Sequence, residues 1–445
     1  MGRGQHLTVL CVFSVLLLVQ LIVFHPTVGT CHLPEGFWLE SHVEAGEGGS
    51  VSHKDLPSLT PPGSVSGRQA VILVFVQFLD VKNSTAIEAI MRMVCGPFCD
   101  YYSEGSYGKI SIEASVHTAW ITLPYPMAYY GADGAAIDVN GQAIFYDTVN
   151  LATRYVNFGF YNHLIIVHAG DDQALSRNTN DIWSAHYPSL RVPSRDAGGN
   201  PGGDPLVSFT ITHGVIVAET DPMGVFAHEF GHSLGLPDLY DITYTQEFVG
   251  FWSLMGSGSK SGSPLGSRPT QLMSPERIWL GWITPNQIAS ITTPGTRDIT
   301  LNSLETSGDT LAVKIPIDTT SYYTLEYRRK ILFDQDLPME GVIISYIDEN
   351  LARGHGIVKV QDGTPNTPSL DDAAFTPGMK FVDEGREVAI SILTLANTAQ
   401  IQIQKGSAEL KTETQNATEN PTPSPTNFQV KIFQWLLFIN LHPLS

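Results

Sequence analysis

Apolar residues follow three different rhythms along this chain. Residues 71–76, Val-Ile-Leu-Val-Phe-Val, form an unbroken apolar run flanked by polar residues, the pattern of a buried strand. Residues 164–167 and 214–218 read as two more strands of the same kind. Residues 86–94 instead space their apolar side chains at the helical period, and a second helical stretch opens at Gly224. That stretch is rich in apolar residues through Val225, Phe226, Ala227, Phe230, Leu234 and Leu236, which predicts a buried helix. Strands followed by a buried helix predict an α/β layer with the helix behind the sheet. Residues 275–283 begin a further helix, with Pro275 in its first turn.

Past Thr284 the rhythm shortens. Segments 299–301, 311–317, 322–327, 341–347, 388–393 and 401–403 are β-branched or aromatic and alternate with Gly, Pro, Asn and Asp turns. They predict an all-β module of sandwich type. Such a module either positions polymeric substrate or covers the back of the preceding domain, and the second role is the simpler expectation. The ends carry no such periodicity. Residues 30–67 are rich in Gly, Ser, Pro and His and read as a pro-segment or linker, and 407–427 as a Thr/Pro-rich tether. Residues 428–445 turn apolar, over a run too short to span a bilayer comfortably. Residues 1–29 have the form of an export signal: Arg3, an apolar run from Leu7 to Phe24, then small residues at Thr27-Val28-Gly29. A membrane anchor is the alternative for that run. The expectation is a secreted, monomeric chain whose mature form has no membrane span, with the apolar tail as a route to the cell surface.

Composition changes this picture in two respects. With 42% apolar residues in 445, there is enough for two or three domain cores. A net charge of −19 without a basic patch excludes nucleic acid as a partner. The acidic pairs Asp171-Asp172 and Asp371-Asp372 suit either structural calcium or, more simply, solvated loops. Export would make the cysteines available for pairing. Cys95 and Cys99 admit a small disulfide loop, which leaves Cys31 over, as an unpaired thiol or as a thiolate capping a metal in a latent precursor.

The chemistry is concentrated in residues 228–238, His-Glu-Phe-Gly-His-Ser-Leu-Gly-Leu-Pro-Asp. On a helix, His228 and His232 project from one face and can grip one metal ion, with Glu229 one residue round. Gly235 permits a left-handed backbone that ends the helix, and Asp238 follows where the turned chain brings back a third ligand. The plain alternative is a helix carrying two surface histidines, but the apolar flanks bury this one. Burying two histidines and a glutamate is costly unless they are paired or bind metal. Two imidazoles and a carboxylate are a zinc donor set with a fourth position open for water, whose pKa the ion lowers to near 7. Glu229 is the candidate general base, and no G-x-S-x-G elbow suggests a covalent nucleophile.

The chain resembles the immune inhibitor A family of secreted metalloproteases, within the metzincin group. The likeness extends beyond the H-E-x-x-H-x-x-G-x-x-D segment to Tyr101–Lys109, Tyr129-Tyr130-Gly131, His163–Gly170, Asp181–Ser184, the turn at Gly250–Ser257 and Trp279–Ile283. Glu326, Arg328 and the 337–341 stretch resemble that family's following β-rich module. Residue by residue, the resemblance implies His228, His232 and Asp238 as metal ligands, Glu229 as general base and Met255 as the methionine beneath the site. Some relatives carry Tyr two residues after that methionine; Ser257 stands here, which leaves the oxyanion-steadying residue unassigned. The implied fold class is an α/β (α+β) metzincin-like zinc protease domain, 68–286, followed by an all-β sandwich-like domain, 287–406. The implied activity is a zinc-dependent endopeptidase acting on proteins or peptides. Two rivals remain at this point: a silent adhesin or binding module on the same scaffold, and a zinc hydrolase of a non-peptide amide bond.

Overall fold

The computed structural model describes residues 64–134, 138–192, 209–243 and 245–406. Its first sheet is built from β1 (Gly67–Gln77), β2 (Ile110–Thr122), β3 (His163–His168), β4 (Ala185–Val192) and β5 (Phe209–Ala218), in the order β2-β1-β3-β5-β4. All neighbours are parallel except the edge strand β4, which runs antiparallel to β5. A parallel sheet must be covered on both faces, and the chain does this with helices. In order these are α1 (Ile87–Met93), α2 (Cys99–Gly105), α3 (Met127–Gly131), α4 (Gly141–Ala152), α5 (Gln173–Ser176), α6 (Met223–Ser233) and α7 (Ser274–Trp279).

The double cover explains why β1 is apolar without a break. Its Val71, Leu73 and Phe75 enter the core that contains Phe226, Ala227 and Phe230 of α6. Its Ile72, Val74 and Val76 enter a second core with Ile144, Phe145 and Val149 of α4. Removing these alternating faces from water is the main stabilisation of the layer. Two helices depart from the pattern read along the sequence. α4 supplies a whole face of the sheet yet lies outside the segments singled out above. α7 stops at Trp279 rather than Ile283, because Gly281 turns left-handed at φ 70° and the amides of Trp282 and Ile283 fold back to the Arg277 carbonyl.

Two further sheets follow. One has the order β11-β10-β9-β8-β6 and the other β12-β13-β14-β7. Their strands are β6 (Ile288–Ser290), β7 (Gly295–Asn302), β8 (Ala312–Pro316), β9 (Ser321–Arg328), β10 (Gly341–Asp348), β11 (Val358–Val360), β12 (Lys380–Asp383), β13 (Val388–Leu395) and β14 (Thr398–Lys405). Leu325, Ile344, Ile390 and Ile401 share one core between the two sheets, so the module is a sandwich. Its first sheet is covered on its other face too. Tyr322, Ile343, Ile347 and Val358 belong to the same core as Trp252, Met255 and α6. The sandwich therefore packs broadly against the α/β layer.

A buried charge network crosses that junction. Arg328, fully buried on β9, pairs with Asp334 at 2.7 Å, Glu326 at 2.9 Å and Glu305 at 3.2 Å, and donates to the Trp252 carbonyl at 2.9 Å. Burial opposes its charge, but Asp334, Glu326 and Glu305 outweigh it and hold the guanidinium above its usual range.

Two expectations need correction. The Cys95–Cys99 loop does not form: residues 87–105 run as helical backbone through a π-helical turn at Val94–Phe98. Cys99 is a free thiol whose Sγ lies 3.8 Å from the Ile112 carbonyl oxygen, and burial pushes it up to about 12. Cys95 is disulfide-bonded, but not to Cys99. Cys31 lies outside the described residues, as do the 1–29, 407–427 and 428–445 segments. The other correction concerns Asp171-Asp172. Asp171 is exposed but Asp172 is buried, where it caps α5 by accepting from the Ala174 amide and also accepts from that of Ser184. Among the described residues no helix is long and apolar enough to cross a membrane.

Arg328→Met leaves three buried carboxylates without their counter-charge. Such a change is expected to cost about 3–5 kcal/mol, read as a large fall in the denaturation midpoint of the 64–406 body. A loss below about 1 kcal/mol would show that the network does not hold the junction together.

Candidate metal centre

The helix that carries the site is shaped by what it packs against. A Cβ on Gly224 would lie 1.8 Å from the Ser259 carbonyl oxygen, so the first turn of α6 rests directly on the 3-10 turn at Ser257–Lys260. A Cβ on Gly231 would meet Met255 Sδ at 2.7 Å. Tyr102, fully buried on α2, donates its hydroxyl to the Ala227 carbonyl, and Tyr101 donates to that of Thr270. The tyrosine pair thus fixes α6 and a loop beneath it.

The helix end aims the ligands. Gly235 turns left-handed at φ 98°, the Gly235 amide returns to the His232 carbonyl and the Leu236 amide to that of Gly231. These two bonds are a Schellman motif. The same turn presents the Leu236 carbonyl to His232 Nδ1 at 2.8 Å. His228 Nδ1 meets the Leu254 carbonyl at 3.0 Å. A carbonyl oxygen only accepts, so each Nδ1 carries the proton and each neutral imidazole turns an Nε2 lone pair toward the site.

Both Nε2 atoms face Asp238, whose Oδ1 lies 3.2 Å from that of His228 and 3.1 Å from that of His232. Burial would raise the Asp238 carboxyl, but His232 and the contacts with both imidazoles hold it well below its usual value. Burial lowers the His232 pKa but Asp238 outweighs it, so the cluster is satisfied either by a proton on His232 or by a cation held among the three atoms. Donors about 2.0–2.1 Å from a tetrahedral zinc stand roughly 3.3 Å apart, which the two measured separations fit. His228, Glu229 and His232 also bring one oxygen or nitrogen each within 4.8 Å of one another, so Glu229 competes with Asp238 for the third place. The shorter, simultaneous approach of Asp238 to both nitrogens favours it as the ligand and leaves Glu229 beside the group.

Glu229 is buried, and that burial is the main force pushing its carboxyl up to about 8, against the opposing influence of His228. A carboxyl in that range takes up and releases a proton near neutral pH. His232 and Asp238 are only half-buried, so the group opens to solvent on their side. The structure therefore brings together all four residues singled out in the sequence.

The turn at Gly250–Ser257, named above for its resemblance, steadies them. The turn around Met255, itself fully buried, supplies the Leu254 carbonyl to His228 and the Met255 carbonyl to the Leu239 amide at 2.8 Å. Ser253 Oγ fixes that turn by accepting from the Met255 amide and donating to Glu276 at 2.9 Å. Glu276, a charge within an otherwise apolar segment, is the steadying partner that was not singled out. On the sheet beneath α6, His163, His213 and His186 form a stacked row, with ring centroids 5.3 and 5.7 Å apart, that ends 6.1 Å from His232.

Comparison with known proteins bears on the same segment. Residues 156–283 match the family model described as Immune inhibitor A peptidase M6, catalytic domain. Immune inhibitor A of Bacillus thuringiensis subsp. alesti is 31% identical over 209 residues, 39% of this chain and 30% of that protein. Pre-pro-metalloprotease PrtV of Vibrio cholerae serotype O1 is 27% identical over 283 residues, 54% of this chain and 28% of that protein. The matched stretch thus spans less than a third of the length of these curated relatives. A solved structure of catalytically inactive OgpA from Akkermansia muciniphila, with an O-glycopeptide, covers 79% of this chain and 96% of its own at 10% identity; its TM-score of 0.26 is too low to carry an argument.

The two helix glycines give a graded test of the scaffold. Gly231→Ala meets the end of a flexible methionine and is expected to cost about 1–3 kcal/mol, whereas Gly224→Ala meets rigid backbone and should cost more. Thermal melts of the two variants should rank in that order, and the reverse ranking would contradict the packing described for α6.

Proposed function

From a catalytic segment that belongs to the immune inhibitor A peptidase M6 family, we propose that this chain is a secreted zinc endopeptidase of metzincin type that hydrolyses internal peptide bonds. One observation carries the reading: two Nε2 lone pairs and one carboxylate oxygen converge within about a tetrahedral edge, with Glu229 buried alongside. His228, His232 and Asp238 would hold the zinc. When bound, that ion supplies Lewis acidity toward a carbonyl and toward water.

The remaining work falls to the chain's own side chains. Glu229 takes a proton from the attacking water and returns it to the leaving amine. His228 and His232 keep their Nδ1 protons on backbone carbonyls, so neither imidazole is free to serve as the base. The half-buried edge of the group, at His232 and Asp238, is where an extended polypeptide gains access. A binding module would have no use for a buried carboxylate poised near neutrality, which disfavours the adhesin reading. We assign residues 68–286 to the catalytic domain and 287–406 to the sandwich, with 1–29 as export signal and 30–67 as pro-segment or linker.

Digestion of unfolded casein by the chain lacking residues 1–29 tests the reading. Internal cleavage should disappear with a zinc chelator. Glu229→Gln should keep its zinc and lose at least about two orders of magnitude in rate, as removal of a general base does. Asp238→Ala should lose the metal. Full zinc and full activity in Asp238→Ala would remove Asp238 from the ligand set, and cleavage that survives the chelator would remove the metal from the mechanism.

A further inference from the structure

A second set of carboxylates gathers where the central strands end. Asp172 lies beyond the end of β3 and Asp221 beyond that of β5, while Ser184 stands just before β4. Ser184 ties the two acids together: its amide donates to Asp172 Oδ1 at 3.2 Å and its hydroxyl to Asp221 Oδ2 at 2.6 Å. The Trp183 amide donates to Asp138 Oδ2 at 3.1 Å, so a third carboxylate meets the same backbone one residue earlier. All three are more than nine-tenths buried, with exposures of 6% for Asp138, 3% for Asp172 and 7% for Asp221. The carboxyl ends of strands are where open α/β sheets place their ligands.

The hydrogen bonds within this group leave oxygens over. Asp138 Oδ1, Asp221 Oδ1 and Gln173 Oε1 are buried without a partner. Gln173 commits its amide nitrogen to Asp133 at 2.7 Å, so only its oxygen remains. Glu219, just before Asp221, is the contrast. Its carboxylate accepts from the amides of Ser84, Thr85 and Gly170 and from the Ser84 hydroxyl, a full complement without any ion. Among the described residues no ion pair reaches Asp138, Asp172 or Asp221. Burial first, then the Asp172 charge, push the Asp221 carboxyl up to about 7. Buried carboxylates of this kind are satisfied by protons or by a cation.

The chemistry of the group selects among cations. Its donors are all oxygens, which favours a hard ion over zinc. Among the described residues, no three of its carboxylates close within 4.8 Å of one another as His228, Glu229 and His232 do. Calcium takes six to eight oxygens at about 2.3–2.6 Å, waters included, in flexible geometry, whereas magnesium demands a regular octahedron. We propose that Asp172 and Asp221 bind a calcium ion, with the unpartnered oxygens of Asp138 and Gln173 and with water completing its shell. The ion joins the ends of β3 and β5 to the start of β4. Asp221 stands two residues before α6, so the same ion fixes the entry to the helix that carries His228 and His232. Its binding does not depend on peptidase activity.

The zinc-loaded full chain carrying Glu229→Gln, dialysed free of calcium, is titrated with terbium(III) and with calcium. Trp183 should sensitise the terbium emission, and calcium should displace it. Calcium at about 100 times its Kd should raise the melting midpoint by roughly 4 °C. Asp172→Asn and Asp221→Asn should each weaken calcium binding at least about tenfold by calorimetry, with unchanged zinc content. Asp371→Asn, in the other acidic pair, should leave it intact. In calcium-free buffer the two Asn variants of the site should melt no lower than their parent, because each removes an uncompensated buried charge. Should either fail to fold, Trp183→Phe decides: it should cut the terbium emission and spare calcium affinity, and undiminished emission would place the ion elsewhere. No calcium binding by the parent up to millimolar concentration, or binding that survives both Asn changes, overturns the inference.

Discussion

Two imidazole lone pairs directed at one carboxylate oxygen are the constraint on which the rest of this structure turns. The carboxylate oxygen lies 3.2 and 3.1 Å from the two nitrogens, an arrangement that requires a proton on an imidazole or a cation among the three atoms. The scaffold must impose the arrangement, and it does so with backbone. Each Nδ1 proton is taken by a carbonyl, one from the helix-ending turn at Leu236 and one from the turn at Leu254. The helix spaces the two histidines, its Schellman turn orients one of them and brings Asp238 round, and the methionine turn orients the other. Hydrogen bonds of this outer kind fix both tautomer and direction.

The methionine turn is itself irregular backbone in a dry interior, and that has consequences far from the site. Buried carbonyls outside helices and strands still need donors. Arg328 supplies one to Trp252, and Arg277 supplies others to Leu272 and Leu304. Guanidinium groups suit this task because they carry five donors in a rigid fork. Their charges, once buried, require carboxylates in turn, which accounts for Glu305, Glu326 and Asp334 in the same region. The sandwich is thus continuous with the centre through hydrogen bonds as well as through a shared apolar core.

How much of this could be read along the chain depended on range. The i, i+4 histidines, the glycine that ends their helix and the alternating strands of the sandwich are local patterns, and they stand where the sequence put them. β2 was illegible because its burial alternates irregularly along its length, leaving no period to follow. α4 has buried residues at the helical spacing, Ile144, Phe145, Thr148, Val149 and Ala152, so its signal was present and went unread. The cysteine pairing could not be read at all. Cys95 and Cys99 sit on consecutive helical turns, and which of them is bonded depends on a contact that spacing does not encode. The partners of Ser253 and Trp252 were equally hidden, since Glu276 and Arg328 reach them only through folding.

Charged residues within β9 show where such hidden contacts leave a trace. Every residue of that strand is buried. Tyr323, Leu325 and Tyr327 fill the sandwich core, while Glu326 and Arg328 point to the opposite face, toward the α/β layer. Had that face met water, alternating charges would be unremarked. Because it meets a second module, the same alternation marks an interface whose polar groups must be matched one by one. Replacing such a network with apolar side chains often gains stability in other proteins. Here it would strip donors from the turn that orients His228. The geometry of the centre, rather than net stability, therefore accounts for charge at the heart of the junction.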